Sequence, residues 1–526
     1  MQPFVWHDSP PGEQSASVAR EVAMLSSVRS ASVSGSRAHP VVVETHVSNG
    51  LPGFTVVGLP DAACRESRDR VRAALMSSGL RWPLKRVTVN LAPSGLRKVG
   101  AGLDLAIAVG LLAAVGELTQ EQVGRYAFIG ELGLDGSLRG VRAAVPLVVA
   151  AGECDVVLPP ASVLEAAVVP GIALRCAPNL SGVVGALRGE KDWAPSPAAP
   201  PPTTRRDPDL AGVKGQPLAR RALEIAAVGG HHLLLSGPPG AGKTMLGTCL
   251  PGLLPDLTPE QSLEVARLHS IAGGETVHSW FRRPPVRMPH PSTPLVALLG
   301  GGSPGARPGE ISLAHNVVLL LDELTEFSSA ALDALRMPLE EGAVRIARAG
   351  ERVCYPARFV MVATMNPCPC GEGGTPGSCR CTTASRSRYE NRLSGSLAEH
   401  FDLRVTVSRP RAEDLFGGAR AEPTAAVASR VARARSVATA RSGAPNSLLG
   451  AEQLSRLAPL SSAAARLAER RLRSGSLSAR GLHRSWRVAR TVADLDGAPE
   501  QIDELHMAEA LALRTPSKVT RGASPW

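Results

Sequence analysis

Residues 237–244 read GPPGAGKT and directly follow the apolar run Leu233, Leu234 and Leu235. Backbone N–H groups of a glycine-rich turn can wrap a chain of phosphates only where side chains are absent, and a helix that starts at the end of the turn adds a favourable dipole. The pattern predicts a buried strand, a tight loop and a helix in that order, and so an α/β fold in the middle of the chain. Gly237, Pro238, Pro239, Gly240, Ala241 and Gly242 would form the cradle. Lys243 would reach the outer phosphates, and the Thr244 hydroxyl would hold Mg²⁺.

A second run, VVLLLDEL at residues 317–324, is apolar enough for a central parallel strand and ends in two acids. Such strand ends are where α/β folds place their chemistry. Asp322 is suited to the Mg²⁺ shell, and Glu323 to polarising an attacking water, because phosphoryl transfer needs positioning and charge stabilisation more than covalent help. The two motifs together predict ATP binding and hydrolysis.

The 526 residues suggest roughly three domains at ~150 residues each. The longest charge-free apolar run, residues 105–116, is too short to span a bilayer, and the first residues lack a basic-then-apolar signal pattern, so the expectation is a cytoplasmic protein with no membrane partner. Aromatic residues make up only 3%, so cores must be aliphatic and base stacking on aromatic platforms is not expected to dominate any nucleic-acid contact. Of the formal net charge of +11, +9 falls from Arg404 onward, where 20 Lys and Arg meet 11 Asp and Glu. Positive charge concentrated on a folded domain favours polyanions such as DNA, although a solvated helical face is the commoner reason for any single charge run.

A Pro, Ala and Thr-rich segment at 189–209, containing APSPAAPPPTTRR, predicts an extended linker. Before it, strand-like runs at 41–47, 54–57 and 87–91 alternate with helical stretches at 62–77 and 103–115, which predicts an α/β or α+β domain over 24–188. After it, the ATPase core is expected over 210–408. Arg and Ala-rich stretches at helical period (424–439, 451–472, 479–495 and 501–513) predict a small helical domain over 409–526. Residues 1–23 are polar and without periodicity, and are read as a disordered extension or as lying upstream of the true start.

Four of the nine cysteines, Cys368, Cys370, Cys379 and Cys381, lie in the stretch CPCGEGGTPGSCRC. Two close pairs joined by a Gly and Pro-rich loop suit a tetrahedral zinc site with four thiolate ligands. Reduced free thiols or a redox switch are the alternatives, and disulfides are disfavoured in a reducing compartment. The other five cysteines are scattered and read as small core residues.

With these motifs in place, the chain closely resembles the ComM/YifB family of magnesium-chelatase-like AAA+ ATPases, over about residues 24–513. The resemblance is carried by GLPGFTVVGLPDAACRESRDRVRAAL, VNLAPSGL, GQPLARRALEIAAVGGHHLLLSGPPGAGKT, PGEISLAHN, ALRMPLEEG, YPARFVMVATMNPCPCG and SARGLHRSWRVARTVADL, in that order. It implies an AAA+ P-loop NTPase module with a helical lid of the magnesium-chelatase C-terminal type. It further implies a preceding α+β domain like the proteolytic domain of Lon (S5 domain 2-like) and assembly into a homo-hexamer. The family's better-studied members look like DNA helicases that drive branch migration in recombination and natural transformation. In Lon-type enzymes a serine and a lysine form the catalytic dyad; the matching positions here are Gly102 and Arg142, and Ser94 lies outside the matching position. Without a nucleophile and a titratable base, acyl transfer has no route, and the domain is read as a binding or assembly platform.

The resemblance also implies that Gln216 and residues 219–222 face adenine, that Asn366 is the sensor 1 amide orienting the lytic water, and that Arg480 is the sensor 2 arginine. Where the family has an arginine after an acid before the last core strand, this chain has His400, in SLAEHFDLRV. Histidine carries only part-time charge at neutral pH, so Arg392 or Arg404 would have to replace it as a finger, or turnover would be slow. Residues 263–316 resemble the family's pore-loop region, with Arg282, Arg283 and Arg287 as candidate phosphate contacts and His290 read as structural. Three functions follow: an ATP-driven DNA motor, a magnesium-chelatase ATPase subunit, or a non-catalytic AAA+ scaffold or chaperone. A chelatase subunit would not be expected to carry the Lon-like domain.

Overall fold

The computed structural model describes residues 24–197, 207–273, 282–283, 285–302, 305–348, 351–373, 379–393, 395–416, 421–497 and 500–514. The expected extension at 1–23 lies outside the described residues, as does the central part of the expected linker, residues 198–206.

The first domain is built on a seven-stranded sheet in the order Gly53–Val57, Arg86–Ala92, Arg37–Ser48, Leu25–Ser34, Tyr126–Phe128, Asp155–Leu158, Leu174–Cys176. Leu25–Ser34 and Arg37–Ser48 form an antiparallel hairpin that turns at Gly35 with φ +61. From Leu25–Ser34 outward, through Leu174–Cys176, all pairings are parallel. The helix Asp104–Ala114 reads DLAIAVGLLAA and is buried at every position but Ala113. A helix apolar all round must be covered all round, and this one packs its side chains into the sheet core formed by Val28, Val43, Val89 and Leu91. The strand Leu25–Ser34 escapes the sequence reading because its alternation is written in serines: Ser26 and Ser30 point inward and donate to the carbonyls of Gly110 and Phe128 at 2.6 and 2.7 Å. Residues up to Ala194 pack back on this domain, because the Trp193 ring lies 5.4 Å from Tyr126 and Ala194 N donates to Cys176 O. That part of the segment is therefore not an extended linker.

The central module has four parallel strands in the order Val318–Leu321, Val360–Met365, Leu233–Ser236, Leu403–Thr406. The first three are mostly aliphatic, as a sheet covered on both faces requires, while the edge strand Leu403–Thr406 alternates buried Leu403 and Val405 with Arg404 and Thr406. The helices Pro217–Gly229 and Lys243–Leu253 contribute to one core with the strands. That core continues without a break into a helical domain of Thr424–Ser442, Ala451–Leu457, Ser462–Arg473, Ala479–Leu495 and Glu504–Ala512, where Val427, Val431, Val488 and Val492 join Leu223, Leu246 and Leu250. The single helix expected at 451–472 is two. Pro459 interrupts the backbone, Leu460 bridges to Ile502, and the Ser461 hydroxyl caps the second helix through Ala464 N at 3.1 Å.

The first domain also touches the central module. Ala266, on helix Pro259–Ala272, is buried among Val145 and Val148 of helix Ala144–Ala151, and Val145 N donates to Ser270 Oγ at 3.2 Å.

Candidate active site

The strand Leu233–Ser236 delivers the glycine-rich loop, and the helix Lys243–Leu253 leaves it. Gly237 lies so close to the neighbouring strand end that a Cβ would sit 2.1 Å from Val407 O, while Gly240 and Gly242 take φ of +75 and +84. The loop can therefore be made only from these residue types. Lys243 donates from Nζ to Gly237 O at 2.8 Å, Pro238 O at 3.0 Å and Asn366 Oδ1 at 3.1 Å. All three of its protons are thus engaged across the loop. Burial lowers the Lys243 pKa, and the carboxylates of Asp322 and Glu323 push against that shift.

Asp322 ends the strand Val318–Leu321 and accepts from Thr244 Oγ1 at 3.0 and 3.1 Å. Thr364, on the adjacent strand, donates its hydroxyl to the same carboxylate and accepts from Glu323 N at 3.0 Å. Glu323 is exposed and left-handed, with φ +53. Thr364 thus fixes two consecutive acids in different orientations, one carboxylate turned to Thr244 and the other making no hydrogen bond among the described residues. A hydroxyl and a carboxylate meeting at one point are hard oxygen donors of the kind Mg²⁺ takes alongside phosphate oxygens. Thr364 was not singled out in the sequence; the only signal was its place on the strand before Asn366.

Gln216 takes φ +58 and donates its amide to Ser408 O, between the first helix of the module and the segment after its last strand. Arg480 is exposed on the first turn of Ala479–Leu495 and makes no hydrogen bond or ion pair among the described residues. The structure does not bring it to Lys243. His400 is not an exposed stand-in for a finger: it is buried, with Arg484 Nη2 at 3.2 Å from its Nδ1 and Glu340 at 3.5 Å from its Nε2. Burial and Arg484 lower its pKa, so the ring is held neutral. Arg404 is also tied up, donating to Ala398 O at 2.5 Å, whereas Arg392 is exposed in the last turn of helix Thr383–Arg392.

Beside His400 lies a buried polar hub that the sequence reading missed. Asp402 accepts from Arg484 Nη1 at 2.9 Å and His232 N at 3.2 Å, and lies 3.5 Å from His231 Nδ1. His231 Nε2 in turn meets Thr491 Oγ1 at 2.8 Å. The hub joins the start of two core strands to the helix Ala479–Leu495. Its residues stand in GGHH and FDLR, where two histidines before a strand are the one visible signal.

The four cysteine sulfurs converge. Cys368, Cys370 and Cys379 lie 3.3 to 3.7 Å apart, and all four lie within 4.8 Å of one another. A tetrahedron with Zn–S bonds of ~2.3 Å has edges of ~3.8 Å, so the donor set fits zinc. Backbone N–H groups of Glu372 and Arg380 hold the Cys370 thiol down to about 6, while burial pushes the Cys368 thiol up to about 12, so without a metal the four thiols do not ionise alike. Residues 374–378 of the connecting loop lie outside the described residues. In the expected pore-side segment, Arg287 is clamped by Glu310 through two bonds of 2.8 Å and Arg283 pairs with Asp256, so these two cations are engaged within the chain. His290 bonds Ser292 at 2.7 Å, as a structural histidine would.

Of the two first-domain positions expected to correspond to a Lon-type dyad, the Gly102 carbonyl accepts from Gly130 N, and Arg142 lies near the central module. The Arg142 guanidinium lies against Gly273 of the central module, and burial together with Arg307 lowers its pKa. Ser94 is exposed.

A parallel sheet carrying a phosphate loop, a Thr–Asp pair and a strand-end asparagine defines a P-loop ATPase of the AAA+ type. Family models for magnesium chelatase subunit ChlI match residues 209–415, the ChlI subunit model matches 43–162, and the ChlI C-terminal model matches 421–514. A competence protein ComM of Haemophilus influenzae is 41% identical over 500 residues, covering 93% of this chain and 97% of its own length. YifB of Escherichia coli is 41% identical over 497 residues with the same coverage, and an uncharacterised protein of Mycobacterium tuberculosis is 44% identical over 496 residues, covering 92% and 97%. The chain belongs to the ComM/YifB family of magnesium-chelatase-like AAA+ ATPases.

Proposed function

We propose that the chain is an ATP-driven DNA motor, a branch-migration helicase acting in recombination or natural transformation, working as a homo-hexamer in the cytoplasm. The observation that carries the ATP half is the convergence of Lys243, Asn366, Thr244 and Asp322 at the ends of adjacent parallel strands. Incoming phosphate oxygens would replace the loop carbonyls as acceptors for Lys243. Mg²⁺, held by Thr244 and Asp322, would supply charge neutralisation of the β and γ phosphates. Glu323, whose carboxylate makes no hydrogen bond among the described residues, would polarise water, with Asn366 orienting it; Arg480 would have to approach with a movement of the helical lid.

The DNA half is supported by near-full-length similarity to a protein named for competence and by the +9 charge from Arg404 onward. No described helix is long and apolar enough to cross a membrane. The first domain, Lon-like by resemblance but with Gly102 and Arg142 at the dyad positions, would serve as a binding platform. The cysteine cluster would hold one structural zinc per chain. A magnesium-chelatase role is less well supported, since a subunit of Heliobacterium mobile matches at 31% identity over only 32% of this chain. Steady-state ATP hydrolysis with single-stranded, duplex and four-way DNA tests the reading. Stimulation by branched DNA, absent from Lys243→Ala, is expected; hydrolysis indifferent to every DNA would overturn the motor, and no hydrolysis despite ATP binding would favour the scaffold.

A further inference from the structure

The cysteine cluster is built against the phosphate loop. Gly371, which turns the CPCG segment back with φ +81, approaches so closely that a Cβ would lie 2.6 Å from Pro239 Cδ. Any side chain there would drive the two loops apart. Arg409, beyond the last core strand, donates from Nη2 to Glu372 Oε1 at 2.5 Å and from Nε to Pro239 O at 3.4 Å, and so spans the same gap from a third direction. Two residues before Cys368, Asn366 accepts from Lys243. On the far side of the cluster, Tyr389 accepts from Thr325 Oγ1 at 2.7 Å, which ties the helix Thr383–Arg392 to the turn that follows Asp322 and Glu323.

The knuckle and the helix that follows it therefore touch the apex of the phosphate loop, the partner of its lysine and the acidic turn. The knuckle has little apolar content of its own: Cys368 is buried, but Cys370 is exposed and Cys379 and Cys381 only half-buried. A segment without a core keeps one shape when a metal closes it, and the free energy of metal binding is then its folding free energy. The Glu372–Arg409 pair is too exposed to hold the gap by Coulomb attraction alone. The position of Gly371 must come from the cluster.

We propose that metal occupancy of the four-cysteine knuckle sets the affinity for ATP, because Gly371, Glu372 and Arg409 fix the phosphate loop at Pro239 only while the knuckle is closed. This rests on the zinc reading given above. Zinc content by mass spectrometry and affinity for a fluorescent ATP analogue are measured on the same full-length preparations, with thermal unfolding to confirm folding.

The double variant Cys379→Ser, Cys381→Ser is expected to lose zinc and bind the analogue about tenfold more weakly, the scale on which supporting partners of metal sites act. Gly371→Ala and Arg409→Gln are expected to keep zinc and still lose affinity, which covers the case in which the cysteine variant does not fold. Arg409→Gln should add nothing in the zinc-free background, since coupled residues give non-additive effects. Stoichiometric zinc whose removal leaves affinity unchanged would overturn the coupling alone. So would an equal loss from Arg409→Gln in both backgrounds, which would make Arg409 a direct nucleotide contact. Wild-type protein with far less than one zinc per chain would bring down the zinc reading and the proposal with it.

Discussion

Two lysines among the described residues have their pKa lowered by burial, Lys98 in the first domain and Lys243 in the central module, and only one stands in a site. Lys98 donates to the carbonyl of Pro93, and no hydrogen bond joins it to the exposed Ser94 among the described residues. Lys243 meets two loop carbonyls and the Asn366 amide, with two carboxylates in electrostatic reach. The difference lies in the backbone around them. Lys98 lies beyond the strand Arg86–Ala92, its backbone bonded to Leu59 and Asp61 and its ammonium to one loop carbonyl, whereas Lys243 opens a helix where parallel strands end together and bring side chains from distant segments to one point. A perturbed lysine marks a site only where other chemistry converges on it.

Substitutions can break or sharpen that contrast. Lys243→Ala should reduce ATP turnover by about 10² or more, the scale of losing one charge-stabilising donor, while Lys98→Met leaves turnover unchanged; a steady-state ATPase assay on both reads the difference directly. Glu323→Gln should lower hydrolysis by about 10²-fold or more, as loss of a general base does, with ATP binding retained in an equilibrium assay. Retained hydrolysis would mean that another group handles the water.

Asp402→Asn should destabilise the module by about 3 kcal/mol, because it strips the largely buried Arg484 guanidinium of its carboxylate partner; a lowered midpoint of thermal unfolding would show it. The pH dependence follows from the same hub. Burial holds the His232 ring neutral with a pKa of about 4 against an ordinary 6.5. The unfolded chain therefore binds more protons between those values, and stability should fall as pH drops from about 6.5 to 4. Burial alone would raise the Asp402 carboxyl, but His231 and Arg484 hold it well below the usual carboxylate range, so its contribution is lost only at lower pH. Denaturant midpoints measured across this range should decline with acid, and a flat profile would contradict the hub. The smallest effect is at Ser94: Ser94→Ala should change neither ATPase rate nor stability, and a serine-directed fluorophosphonate should not label the wild type.

The nucleotide loop and the acids at 322 and 323 were legible in the sequence because each motif contains its own geometry: glycines where φ is positive, an aliphatic run that must be a covered strand, and then the reactive side chains. The helix at Asp104–Ala114, buried at all but Ala113, was legible for the same reason, being apolar on nearly every face. The first strand was not, because serines bonded to carbonyls occupy its inward positions. The hub around Asp402 and the contact of Gly371 with Pro239 were not legible either, since each joins segments more than a hundred residues apart. His400 shows the converse limit. Its place in the chain marked it as a weakened finger, and its burial against Arg484 and Glu340 shows a packing role instead.

The central claim is that this ATPase site drives movement on DNA. The most direct measurement is ATP-dependent dissociation of a synthetic four-way junction by the full-length protein, with Lys243→Ala and Glu323→Gln alongside. Junction dissociation by the wild type in the presence of ATP and Mg²⁺, and none by either variant, is expected. ATP hydrolysis by the wild type that leaves the junction intact would contradict it.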